Sequence, residues 1–268
     1  CFDLEPGIWA FHGQPWKDPS RAPSPRLVAQ LQLPTYTFTL VRDPVARCLS
    51  HFYHFYSGTV PNTSSKLDYL RGWQCTNAQF RYIRPAKGLC SIPELWSFYN
   101  LIGTVEAYHE ALVIIADDLG VPLSDVLYVT AKNSSEGRFD RRGVAQRAHP
   151  PLATEPSAVQ EFARGEEFRR RNHLDTMLWQ TAQHRQAQIF DERPHLRRHL
   201  DEFKCMEEAV LHECQPRAQG HLGKQYLARV AKCYYDDKGC NHACVDGLID
   251  RVPSSLSLCL RGSPPRAG

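Results

Sequence analysis

The sequence predicts an α/β protein in which helices cover a parallel sheet. Two strand-then-helix passages and the distance between them predict it. "YTFTLV" (Tyr36 to Val41) is β-branched, aromatic and mostly apolar, and it runs straight into the helix-start signal Asp43-Pro44. "FYNLIGT" (Phe98 to Thr104) repeats the pattern and leads into a second amphipathic stretch. Strands separated by that much chain pair in parallel through a crossover. With 268 residues the chain can bury one large core, or one core with a small appendage.

The elements follow in order. Residues 1–34 are irregular and rich in Pro and Trp. After the first strand, Asp43 is a good N-cap and Pro44 a good first helical residue; the helix should reach Ser57 and stop at Gly58. "VEAYHEALVIIADDLG" places Val105, Tyr108, Leu112, Ile115 and Leu119 at helical spacing, with Gly120 and Pro122 as the stop. "DVLYVT" (Asp125 to Thr130) is expected as a third strand. The polar, basic stretch Ala131 to Pro156 reads as a long mobile loop. "NHLDTMLWQTAQHRQAQIF" and "HLRRHLDEFKCMEEAVLHEC" are helical in pattern, and the tail "RGSPPRAG" is expected to be disordered.

Composition excludes some functions. A net charge of +3 is too small to argue for nucleic acid, and no run of eighteen apolar residues is present to span a membrane. Ten cysteines, crowded toward the C-terminus, suggest an oxidising compartment. Cys48 reads as a buried thiol. Cys233, Cys240, His242 and Cys244 offer a zinc-like set, but no second ligand pair stands a dozen residues away. Disulfides among Cys233, Cys240, Cys244 and one of Cys205, Cys214 or Cys259 are favoured over a metal.

The corner after the first strand holds the candidate chemistry. In open α/β sheets, ligands bind beyond the carboxyl ends of the strands, where Arg42 sits. The N–H groups of the helix starting at Pro44 would attract an anion. Arg47 and Ser50 share a helix face, and Ser50 lies about 9 Å along the axis from Pro44. An arginine fork folded along that face, with a serine hydroxyl, makes a phosphate clamp. The plainer alternative is an ordinary helix start with Arg42 paired to a carboxylate.

The strand, then Arg-Asp-Pro-Val, then Ser50 eight residues after Arg42, then an aromatic pair, resembles the 3'-phosphate-binding segment of Golgi-type carbohydrate sulfotransferases. The likeness is to the heparan sulfate 2-O- and 6-O-sulfotransferase group and its algal and bacterial relatives. "NAQFRYI" (Asn77 to Ile83), "LIGTVEAYHEALVIIADDLG" and "NHLDTMLWQTA" (Asn172 to Ala182) are similar to further segments of that family, in the same order. The resemblance implies a P-loop-NTPase-like parallel sheet over residues 1–190 and leaves 191–268 as a helical, Cys-rich extension. It also implies sulfuryl transfer from 3'-phosphoadenosine 5'-phosphosulfate to a carbohydrate hydroxyl, without a metal. Arg42 and Ser50 would hold the donor's 3'-phosphate. His12, in "FHGQPW", would be the general base that takes the acceptor proton. Asn77, Gln79 and Arg81, in a short strand or turn, would touch the acceptor or brace the sheet, with bracing favoured. The full-length protein would be a type II membrane protein of the Golgi lumen.

One part of the family pattern is missing. The family cradles the 5'-phosphosulfate in a Lys-, Gly-, Ser- and Thr-rich loop after its first strand, with a lysine stabilising the leaving oxygen. "GHLGKQ" (Gly220 to Gln225) is the nearest imitation, with the wrong spacing, no following Ser or Thr and the wrong place in the order. The true loop is expected upstream of Cys1, so this stretch alone is expected to be inactive. The alternative is an inactive relative that keeps glycan or nucleotide binding. A P-loop kinase or NTPase is disfavoured because G-x-x-x-x-G-K-[ST] is absent. Arg138, Arg141, Arg142 and Arg147 either help hold the donor or an acidic glycan, or form a solvated loop.

Overall fold

The structure is a computed structural model and describes residues 36–56, 63–84, 91–129, 138–139, 145–146, 150–214 and 242–251. Over these residues the protein is mostly helical around a two-stranded parallel sheet. Strand β1 (Phe38–Val41) pairs with β2 (Leu101–Thr104), Phe38 opposite Leu101 and Val41 opposite Thr104. Between them lie α1 (Pro44–Tyr56), α2 (Thr63–Arg71), α3 (Ala78–Ile83) and α4 (Ile92–Trp96). After β2 come α5 (Tyr108–Leu119), a 3-10 turn (Leu123–Val126) and a two-residue antiparallel ladder of β3 (Arg138–Phe139) with β4 (Ala145–Gln146). The helices α6 (Ser157–Arg164), α7 (Glu166–Arg171), α8 (His173–Glu192), α9 (His195–Cys214) and α10 (His242–Arg251) complete the order. No helix among the described residues is long and apolar enough to cross a membrane.

Local chemistry explains the elements that place the site. Asp43 caps α1, its Oδ1 accepting from the Ala46 N–H at 2.7 Å, and Pro44 pre-sets the first turn. Cys48, Leu49, Phe52 and Tyr53 recur at helical spacing and are buried against Tyr69, Leu70, Val159 and Phe168. Helix α5 buries Ala111 and Val113 to Ala116, and Gly120 ends it at φ 64°, a left-handed conformation that glycine adopts without strain. Helix α8 buries Asp175, Leu178, Ala182, Gln186 and Phe190, a stripe with steps of three or four residues. One apolar cluster joins α5 and Leu127 to Leu196, Phe203 and Val210 of α9, so elements on both sides of residue 190 share a core.

Several details differ from what the sequence predicts. "DVLYVT" is not a strand over its described residues: Leu123–Val126 form a 3-10 turn, and Leu127 and Val129 are buried without joining a ladder. Pro122 ahead of it favours that turn, while alternate burial mimics a strand. Asn77 to Ile83 is neither strand nor turn; its core is helix α3. Val105 precedes α5 and is 43% exposed. The stretch from Ala131 to Pro156 contains the β3–β4 ladder and a 3-10 turn at Leu152–Thr154. Behind that turn, Glu155 is buried and accepts from Lys66 Nζ at 2.6 Å and the Tyr53 hydroxyl at 2.5 Å. That buried ion pair holds the end of the stretch against α1 and α2. His12, Gly58, Cys233, Cys240, Cys259, Arg141, Arg142, Arg147, residues 220–225 and the C-terminal tail lie outside the described residues.

Cys214, at the end of α9, forms a disulfide with Cys244 of α10, and Cys205 is also disulfide-bonded. Cys48 and Cys75 are free and buried. The Cys214–Cys244 bond spans a sequence separation of 30, and closing a loop of that size stabilises by about 3–4 kcal/mol in the chain-entropy account. Cys214→Ser should therefore lower the denaturant midpoint markedly, and a peptide map without reduction should show Cys214 linked to Cys244. An unchanged midpoint would mean that this bridge does not constrain the chain. A second prediction concerns β2, where a Cβ at Gly103 would lie 2.8 Å from Leu40 Cδ2 and 2.9 Å from Ala111 Cβ. Gly103→Ala should destabilise by about 1–3 kcal/mol, read as a shift in urea midpoint at constant slope.

Candidate functional site

Arg42 follows the last residue of β1, at the carboxyl edge of the parallel pair. Its backbone is held on both sides by one side chain. The Arg42 N–H donates to Gln79 Oε1 at 2.7 Å, and Gln79 Nε2 donates to the Arg42 carbonyl at 2.7 Å. Gln79 is buried on α3, so the bracket fixes the Arg42 backbone and leaves the side chain to leave the corner. The Arg42 guanidinium and the Ser50 hydroxyl are partly buried, and neither has a hydrogen-bond partner among the described residues.

The neighbouring polar groups are committed. The Asp43 N–H donates to Glu106 Oε1 at 2.9 Å, and Trp179 Nε1 donates to Glu106 Oε2 at 3.1 Å. Arg47 donates to the Gln74 carbonyl at 2.5 Å. The start of α1 is a weaker anion site than its sequence implies. Asp43 takes the Ala46 N–H through its carboxylate and the Arg47 N–H through its carbonyl, and Glu106 adds a second carboxylate. An anion at this corner would rest on the side chains of Arg42 and Ser50, two residues that are free to accept it.

Behind the corner, α3 and α8 cap each other. Asp175 accepts from the N–H groups of Gln79 at 3.0 Å and Phe80 at 2.8 Å, at the start of α3. Asn77, in a left-handed conformation at φ 43°, accepts from the N–H groups of Leu174 at 2.9 Å and Asp175 at 3.3 Å, at the start of α8. Its own N–H donates to Asn172 Oδ1 at 3.2 Å. Each helix thus has first-turn donors satisfied by a side chain of the other. Farther along α8, Gln186 Oε1 accepts from the Thr104 N–H at 2.8 Å and hydroxyl at 2.9 Å, which ties the end of β2 to the same helix. Arg81 lies over the Trp73 ring at 5.4 Å and donates to the Trp73 carbonyl at 2.6 Å. Asn77, Gln79 and Arg81 all have protein partners.

Sequence reasoning named Arg42, Ser50 and Gln79 but gave no role to Asn172, Asp175, Glu106 or Gln186. Two signals were available: polar residues on the apolar stripe of α8, and an acid just beyond β2. The structure places Arg42 and Ser50 on the same strand–helix unit, while His12 lies outside the described residues.

Burial pushes the Asp175 carboxyl above its usual range, against the donations from Phe80 and Gln79 and the charges of Arg47 and Arg81, which pull it down. With the native pKa raised, proton binding favours the folded chain. That contribution is complete below the unfolded value near pH ~4 and is lost as pH rises through the native value. Asp175→Asn removes it, along with one of the two acceptor oxygens. The stability gap between the natural chain and Asp175→Asn should therefore widen as pH falls from 7 toward 4 in urea titrations. A gap that narrows on acidification would show the carboxylate to be stabilised as an anion.

The geometry has to be read from this chain alone: no family model, curated protein or solved structure matches it.

Proposed function

We propose that the chain belongs to a carbohydrate sulfotransferase, in which Arg42 and Ser50 hold the 3'-phosphate of 3'-phosphoadenosine 5'-phosphosulfate. The observation that carries this reading is the pair of uncommitted side chains at the carboxyl edge of the sheet, in a corner where the surrounding polar groups are paired. A guanidinium rigidly based by the Gln79 bracket is a ready partner for phosphate oxygens. The stretches that resemble the family also meet here. The Arg42 corner, Gln79 of α3, Glu106 beyond β2 and Asp175 of α8 are joined by direct hydrogen bonds.

On this reading the parallel pair is part of a P-loop-NTPase-like sheet, and α9 and α10 with their disulfide belong to a Cys-rich extension. His12 is the base that takes the proton from a sugar hydroxyl as it attacks sulfur in line. The acceptor is a polysaccharide or a glycoprotein glycan. Disulfides support an oxidising, Golgi-type lumen, with the full-length protein as a type II membrane protein. The runner-up is an inactive relative that retains nucleotide or glycan binding. Transfer of labelled sulfate to glycan acceptors separates the two.

The binding test compares adenosine 3',5'-bisphosphate with adenosine 5'-monophosphate by calorimetry. The bisphosphate should bind about tenfold or more tightly, because a charge-assisted fork meets the 3'-phosphate. Arg42→Ala should remove most of that preference, and Ser50→Ala should weaken it by a smaller factor. Neither side chain has a polar partner to lose among the described residues, so both variants should keep the unfolding midpoint close to that of the natural chain. Equal affinity for the two nucleotides would sink the assignment.

A further inference from the structure

At the opposite edge of the sheet, ahead of β1, three metal-ligating side chains come together. Asp117 lies in the last turn of α5, and His195 and His199 lie one turn apart in the first turns of α9. One ligand atom from each lies within 4.8 Å of the other two. The two imidazoles share a helix face at four-residue spacing, their ring centres 5.3 Å apart. His195 Nε2 is 2.9 Å from Asp117 Oδ1. His199 has no hydrogen-bond partner among the described residues.

We propose that Asp117, His195 and His199 bind one divalent transition-metal ion, zinc in the first instance, which clips the end of α5 to the start of α9. Two imidazoles and one carboxylate are a borderline-soft donor set that suits zinc, copper or nickel and disfavours magnesium and calcium, which take oxygen ligands. Bonds of about 2.1 Å in a tetrahedron put ligand atoms about 3.4 Å apart. The three ligand atoms lie within 4.8 Å of one another, so they must draw about an ångström or more closer where they are widest apart to take up an ion. A fourth position is left for water.

The surrounding charges orient the carboxylate. Arg193 Nη1 sits 3.2 Å from Asp117 Oδ2 and 2.5 Å from Asp118 Oδ1, and Asp118 Oδ2 accepts from the Tyr36 hydroxyl at 2.6 Å. Arg193 therefore engages Oδ2 and leaves Oδ1 facing His195, as an outer partner of a metal ligand does. The last carbonyls of α5 add negative partial charge and the first N–H groups of α9 positive partial charge, so the helix ends offset each other and the carboxylate and imidazoles decide the site. Tyr36 precedes β1 while Arg42 follows it, so the ion would be remote from the nucleotide corner and would act on the α5–α9 junction.

The test is calorimetric titration of zinc, with magnesium as the control cation, into the full, disulfide-intact chain, so that paired cysteines do not compete. One saturable site per chain is expected for zinc and none for magnesium. His199→Ala should weaken zinc about tenfold or more, and Asp117→Asn should do the same, with unchanged circular dichroism. Zinc should also raise the melting temperature of the natural chain and not that of His199→Ala. Failure to saturate with zinc, or zinc affinity unchanged in both variants, would overturn the proposal.

Discussion

The candidate site depends on one side-chain amide. Gln79 makes two hydrogen bonds to the backbone of Arg42, and the Arg42 side chain makes none among the described residues. The amide can do this because its own position is over-determined. It projects from the first turn of α3, whose N–H groups end on the buried carboxylate of Asp175. Asp175 is in turn placed by α8, whose own first turn ends on Asn77, two residues before Gln79. The hydrogen bonds form a closed circuit through two short loops and two helices. Buried polar circuits of this kind are costly when one member is left unpaired, so they fix geometry more strongly than apolar contacts of the same area.

Local signals in the sequence were legible where short-range chemistry decides. Asp43-Pro44 starts α1, Gly120 ends α5, and the long stripes of α8 and α9 are helices. The Ser91-x-x-Glu94 capping box at the start of α4 is an equally local signal. Helix α3 was not legible. It has six residues, its Asn77 cap position is left-handed, and its cap comes from Asp175, nearly a hundred residues away. No window around Asn77 contains that information. Asp125 to Thr130 failed for a different reason: Leu127 and Val129 are buried on alternate positions, which an unpaired extended segment satisfies as well as a strand does.

The candidate pair, Arg42 and Ser50, and its scaffold were legible to different degrees for a physical reason. Arg42 and Ser50 stand out because their residue types fit a ligand at a strand–helix corner, a position that general α/β geometry supplies. Their supports stand out only in three dimensions. Asp175 and Gln186 look like ordinary polar residues of an amphipathic helix until α8 is laid across the ends of β1 and β2, where both prove to be buried. The resemblance segments were therefore matched for their sequence and explained by their contacts: three of them are joined by the bonds that fix Arg42.

Stability and binding are thus assigned to different atoms of the same corner. Arg42 is only partly buried, and its guanidinium has no hydrogen-bond partner among the described residues. The carboxylate of Asp175 is buried, and two backbone donors would be stranded without it. Charge at the corner has the same logic. Asp43 and Glu106 place two carboxylates at the α1 terminus, which weakens it as a site for a small anion. On the proposed reading, a ligand would be met by a guanidinium and a hydroxyl, so the geometry of its oxygens would count as well as its charge. A corner built only from helix N–H groups would hold anions less selectively. If the corner holds a phosphate as proposed, the Asp43 and Glu106 carboxylates beside it would leave that phosphate dependent on the Arg42 and Ser50 side chains.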